Sequence, residues 1–156
     1  PLYYGEGERY YLQADVPTAL LANLTPPTFW RAPSGSEAQP QRLWVSGAGA
    51  CTPMHFDLAA SYLAQARGRK RILFFPPHAT AGLYPYPIDH PLHRRARVGL
   101  YDEPGFRAAR FPRFAEVEGM AREAVLEEGD VVFFPARWYH HVESLTLSFS
   151  IGGRYV

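Results

Sequence analysis

His55-Phe56-Asp57 and, far down the chain, His140 carry the residue types of a metal site. Along a β-strand successive side chains point to opposite faces, so residues two apart reach into the same space. His55 and Asp57 form such a pair, and His140, in Pro135-Ala136-Arg137-Trp138-Tyr139-His140-His141, can complete it from a neighbouring strand. Two imidazoles and a carboxylate on one side of an ion, with the opposite positions open, suit Fe(II) and the activation of O2. A lone His-x-Asp is common, so its weight depends on the strands around it.

The elements that must position these ligands are legible as short strands. They are expected at residues 9–13, 43–45, 52–57, 61–66, 71–75, 130–134, 141–145 and 147–151, with a short helix over 16–24 and a loop over 26–41. Gly68 and Gly129 suit hairpin turns. Pro76, Pro77, Pro85, Pro87, Pro91, Pro104 and Pro112 lack the donor N–H of a central strand. Residues 76–113 therefore read as a long Pro-rich loop over the barrel mouth. Antiparallel strands in two facing sheets, with ligands on the inner face, describe a mainly all-β jelly-roll or cupin barrel.

At 156 residues, 47% of them hydrophobic, residues 1–156 are read as one domain with its own core. A net charge of +1 gives no electrostatic reason for a nucleic-acid partner. The single cysteine, Cys51, excludes an internal disulfide and fits a reducing compartment, cytoplasmic or, in a eukaryotic cell, nuclear. No apolar run approaches the ~18 residues of a membrane span, so no membrane partner is expected. The chain opens on Pro1 rather than Met, as an excerpt lacking flanking termini would.

Longer stretches carry a resemblance. Thr52-Pro53-Met54-His55-Phe56-Asp57, then Lys70-Arg71-Ile72-Leu73-Phe74-Phe75-Pro76-Pro77, Leu83-Tyr84-Pro85-Tyr86-Pro87, and Gly129-Asp130-Val131-Val132-Phe133-Phe134-Pro135 with Trp138-Tyr139-His140-His141-Val142-Glu143-Ser144, are similar to the JmjC/cupin-like 2-oxoglutarate oxygenases. Within that family the likeness is greatest to the asparaginyl hydroxylases typified by factor inhibiting hypoxia-inducible factor, and it runs from about residue 9 to 151.

The resemblance implies a double-stranded β-helix of JmjC type that holds Fe(II) through His55, Asp57 and His140, with 2-oxoglutarate as co-substrate and O2 as oxidant. It makes His140 the ligand and leaves His141 to a structural hydrogen bond on the opposite face. Lys70, the sole lysine, falls where the family pairs a cation with the distal carboxylate of 2-oxoglutarate, Thr52 and Tyr11 where hydroxyls share it, and Ser61 near the co-substrate. Gln13, Arg94 and Arg95 fall where the substrate is held. The resemblance also implies dimerisation through a segment beyond Val156.

Some residues depart from the family pattern. Ser61 and Gly152 stand for two Asn residues, Arg154 for a Trp, and Arg94-Arg95 for Arg-Gln, a change that favours a target with a nearby acidic residue. The implied reaction is hydroxylation of an Asn, Asp or His side chain of a protein or peptide, ahead of demethylation. Two rivals stand beside it: the same chemistry on tRNA or a small molecule, and a cupin module that holds metal without turnover.

Overall fold

The computed structural model describes residues 10–25 and 40–154. Nine strands are present among them: β1 Tyr11–Asp15, β2 Arg42–Ser46, β3 Cys51–Phe56, β4 Ser61–Arg67, β5 Lys70–Phe75, β6 Arg122–Leu126, β7 Val131–Phe134, β8 Tyr139–Ser144 and β9 Ser148–Arg154. A five-stranded sheet runs β1-β2-β9-β4-β7 and a four-stranded sheet β3-β8-β5-β6, every pairing antiparallel. From β2 on, most chain-adjacent strands lie in opposite sheets. The chain thus winds as a double-stranded β-helix, the fold expected of it.

That winding corrects the hairpins. Gly68 joins β4 to β5 and Gly129 lies between β6 and β7, yet neither pair shares a ladder; both turns carry the chain across the barrel. Each glycine has positive φ, +76° and +93°. A Cβ on Gly68 would also strike the Leu147 carbonyl oxygen, so the crossing needs glycine there.

β5 explains how the core is built, because it is buried on both faces. Ile72 and Phe74 point between the sheets, where they meet Leu63, Leu126 and Phe134. Phe75 packs outward with Met54, Leu83, Phe111, Phe114 and Tyr139. The outer layer comes from the Pro-rich segment, which is not purely loop. It holds short helices at Thr80–Leu83 (α2) and Pro104–Arg110 (α3), followed by Phe114–Val117 (α4). Pro104 starts α3 at a position where the missing N–H costs nothing, and the Glu103 carboxylate accepts from Phe106 N at 2.8 Å.

Other expectations shift at their ends. The first strand is Tyr11–Asp15, Arg9 lying outside the described residues, and the first helix, α1, is only Thr18–Leu21. Of the loop at 26–41, only residues 40 and 41 are described. β6 was not expected, because Arg122-Glu123-Ala124-Val125-Leu126 reads as helix former by composition. Its place is set by pairing with β5, where Arg71 Nε donates to Glu123 Oε1 at 3.0 Å.

Candidate metal centre

β8 begins at Tyr139, two residues earlier than expected, which sets His140 directly opposite His55 of β3. Asp57 follows β3, where its carbonyl accepts from Arg137 N at 2.8 Å. Donor atoms of His55, Asp57 and His140 all lie within 4.8 Å of one another. The two imidazoles meet edge to face, centroids 4.3 Å apart.

Their tautomers are fixed by the backbone. His55 Nδ1 lies 2.9 Å from the Pro53 carbonyl oxygen and His140 Nδ1 lies 3.1 Å from that of Trp138. A carbonyl only accepts, so each Nδ1 carries the proton and each Nε2 keeps a lone pair. Burial lowers the pKa of both; His140, also beside His55, falls to about 4. Both rings are therefore neutral at pH 7, as metal ligation requires. The donor set fits Fe(II).

A cavity of about 540 Å³ opens on these residues and is lined as well by Tyr11, Gln13, Thr52, Ser61, Lys70, Arg94 and Arg95. Every residue expected at the metal, co-substrate or substrate position thus lines one space. Tyr11 Oη and Thr52 Oγ1 sit 3.2 Å apart. Lys70, at the start of β5, is 3% exposed. Burial alone acts on its ammonium, lowering its pKa from 10.5 to about 8, with no carboxylate partner among the described residues. A buried, unpaired cation facing a cavity fits an anion such as one carboxylate of 2-oxoglutarate.

The rim is held by backbone pairing. Phe56 N donates to Arg94 O at 3.1 Å and Ala96 N to Met54 O at 3.0 Å, so residues 94–96 lie along β3 as an added edge. Arg94 Nη1 then reaches Asp57 Oδ1 at 3.3 Å.

The model of the cupin-like domain family matches residues 5–154. The chain belongs to that family. Among its relatives, lysine-specific demethylase JMJ30 of Arabidopsis thaliana is 37% identical over 75% of this chain and 26% of its own length. Lysine-specific demethylase 8 of Xenopus tropicalis is 35% identical over 69% of this chain and 23% of its own length. HSPB1-associated protein 1 of Homo sapiens is 36% identical over 71% and 22%. The cupin-like chain thus spans about a quarter of the length of the curated relatives it matches. An X-ray structure of E. coli ycfD superposes with a TM-score of 0.50 at 16% identity, covering 77% of this chain and 26% of that one, a likeness of fold. The cupin-like match and these relatives support the JmjC/cupin family at large; the narrower likeness to asparaginyl hydroxylases is carried by the sequence motifs alone.

Two features of this cupin-like cavity were missed in the sequence. Arg42 and Trp44 of β2 line it, and the alternation Arg42-Leu43-Trp44 was the available signal. Trp44 also explains Gly152: a Cβ there would lie 2.8 Å from the indole and 2.6 Å from the Tyr62 carbonyl oxygen. His141 faces away from the cavity, as expected, with its ring 5.7 Å from that of Tyr101. The expected structural hydrogen bond is not made by its buried Nε2, which has no partner among the described residues.

Proposed function

We propose that this chain is the catalytic core of an Fe(II)- and 2-oxoglutarate-dependent oxygenase that hydroxylates a protein or peptide side chain of the Asn, Asp or His kind. One observation carries the reading: a buried ammonium without a carboxylate partner, Lys70, shares a cavity with two Nδ1-protonated imidazoles and Asp57. Iron with its co-substrate would supply oxidation of a C–H bond by O2.

The chain's own residues supply the rest. His55, Asp57 and His140 would hold the ion from one side and leave the cavity side open. Lys70, helped by the Tyr11 and Thr52 hydroxyls, would fix the distal carboxylate of 2-oxoglutarate, and Ser61 would lie along its flank. The rim built by Arg94 and Arg95, with Gln13 across from it, would orient an extended substrate through its carbonyls.

An anaerobic titration with Fe(II) and 2-oxoglutarate tests the reading without knowledge of the substrate. A weak visible charge-transfer band should appear and be lost in Asp57→Ala. No band with the full-length protein would leave the inert metal-binding module. A second reading, lysine demethylation, is favoured by the names of the relatives. The cationic lining of the cavity disfavours a methylammonium substrate. Near neutrality of the chain weighs against tRNA.

A further inference from the structure

The cavity is strongly unbalanced in charge. Asp57 is the one carboxylate among its described lining residues, against Lys70, Arg42, Arg94, Arg95 and Arg154. Fe(II) and 2-oxoglutarate would cancel each other's charge, and Lys70 would offset Asp57. Loading the site would therefore leave the cavity with an excess of positive charge, in which Arg94 meets Asp57 at 3.3 Å and Arg95 and Arg154 meet no carboxylate among the described residues.

Those groups converge from separate elements. Arg94 and Arg95 lie on the rim segment along β3; Arg154 ends β9, opposite Ser61; Arg42 of β2 pairs with Gly152 of β9. Arg95 and Arg154 enter no ion pair among the described residues. Arg42 touches Asp15 at 3.3 Å, a well-exposed contact of small worth, while its buried Nε has no partner. Gly152 contributes by absence: with no side chain there, Trp44 seats against β9.

We infer that Arg154 and Arg42, with Arg94 and Arg95 at the rim, select a substrate bearing carboxylates at or beside the oxidised position. This rests on the oxygenase reading above. A carboxylate matches the planar guanidinium fork, and each well-formed pair in a partly enclosed site favours an acidic over a neutral ligand by about tenfold. A cationic substrate would instead meet like charge on several sides.

The test uses the full-length protein with Fe(II), 2-oxoglutarate and O2, and reads succinate release. Peptides of one length and one central Asn would be flanked by Asp and Glu, by Asn and Gln, or by Lys; free dicarboxylic acids form a further arm. The acidic set should stimulate release about tenfold or more over the neutral set, with the advantage shrinking as salt rises. Arg154→Glu should invert the order toward the Lys set, and Arg154→Lys should keep it. Arg42→Glu asks the same from another strand if Arg154→Glu does not fold.

Equal stimulation by acidic and neutral peptides, a preference for Lys, or an acidic preference unmoved in both charge reversals overturns the proposal. A higher KM for 2-oxoglutarate in Arg154→Gln, with the peptide preference intact, also overturns it, by assigning Arg154 to the co-substrate. Stimulation by free dicarboxylates alone supports carboxylate selection and overturns only the protein-substrate reading. Absence of the charge-transfer band overturns the oxygenase reading, and this proposal with it.

Discussion

Replacing Lys70 by Met should stabilise the ligand-free protein and weaken its hold on 2-oxoglutarate. Lys70 is 3% exposed and its pKa falls from 10.5 to about 8 through burial alone. The unfolded chain keeps the proton up to about pH 10.5 and the fold only to about 8. The charged side chain therefore costs the fold most below pH 8, and the cost is relieved between 8 and 10.5 as pH rises. That fall amounts to about 3 kcal/mol at neutral pH. Lys70→Met should raise stability at pH 7 by up to that amount, or about 2–4 °C in Tm per kcal/mol at this size. The gain should fade above pH 10.

The same ammonium, once paired with a carboxylate, contributes to binding. Its loss should weaken 2-oxoglutarate by about 2–5 kcal/mol, roughly thirty-fold to several thousand-fold. Calorimetric titration of 2-oxoglutarate with Mn(II) in place of Fe(II), beside denaturant melts at pH 7 and 10, measures both halves. Unchanged affinity for 2-oxoglutarate, or a variant less stable than the parent by the same amount at both pH values, would refute the reasoning.

Ala at His55, Asp57 or His140 should abolish stoichiometric Mn(II) binding, and His141→Ala should retain it; the reverse result for the two adjacent histidines would reassign the ligand. In the metal-free protein His140 and His141 both sit near pKa 4, chiefly through burial. The unfolded chain takes up protons first as pH falls from 6.5 to 4, so stability should drop over that window by up to about 3 kcal/mol per histidine, and bound metal should move the loss to lower pH. Denaturant melts at pH 7 and 4.5 would expose a flat profile. Tyr101→Phe removes a 2.6 Å hydrogen bond to Glu143, which is 3% exposed, and should cost about 1–3 kcal/mol in chemical denaturation.

The fold was legible where period-two alternation met strong β formers, as in Lys70-Arg71-Ile72-Leu73-Phe74-Phe75, where both faces find a core. It was illegible where pairing overrode composition. β6 is strand because β5 offers it a ladder, and nothing in Arg-Glu-Ala-Val-Leu announces that. The prolines of 76–113 rightly excluded central strand, but Pro104 was a helix start and not a break. Turn glycines could be found from sequence; whether a turn closes a hairpin or crosses between sheets depends on partners distant in the chain.

The candidate site follows the same division. His55, Asp57 and His140 stood out because local spacing and a distant motif coincide, and the sheet brings His55 opposite His140 by register. Arg42 and Trp44 escaped because the alternation Arg42-Leu43-Trp44 marks a shared face but does not say that this face of β2 is a cavity wall.

This difference reflects how the barrel separates two tasks. β3 and β8, in the four-stranded sheet, carry the two candidate histidine ligands, and the ring tautomers are fixed by carbonyls two residues earlier on the same segments. Arg42, Trp44, Gly152 and Arg154 belong to β2 and β9 of the other sheet, joined to the first by crossing turns and not by ladders. A substitution on β2 or β9 therefore leaves the hydrogen bonds that orient the imidazoles untouched while changing the charge and shape that a substrate meets. Departures from the family pattern at positions 152 and 154 fall on this second sheet. They can alter what the cavity accepts without disturbing the candidate metal ligands, whose spacing was the clearest signal in the chain.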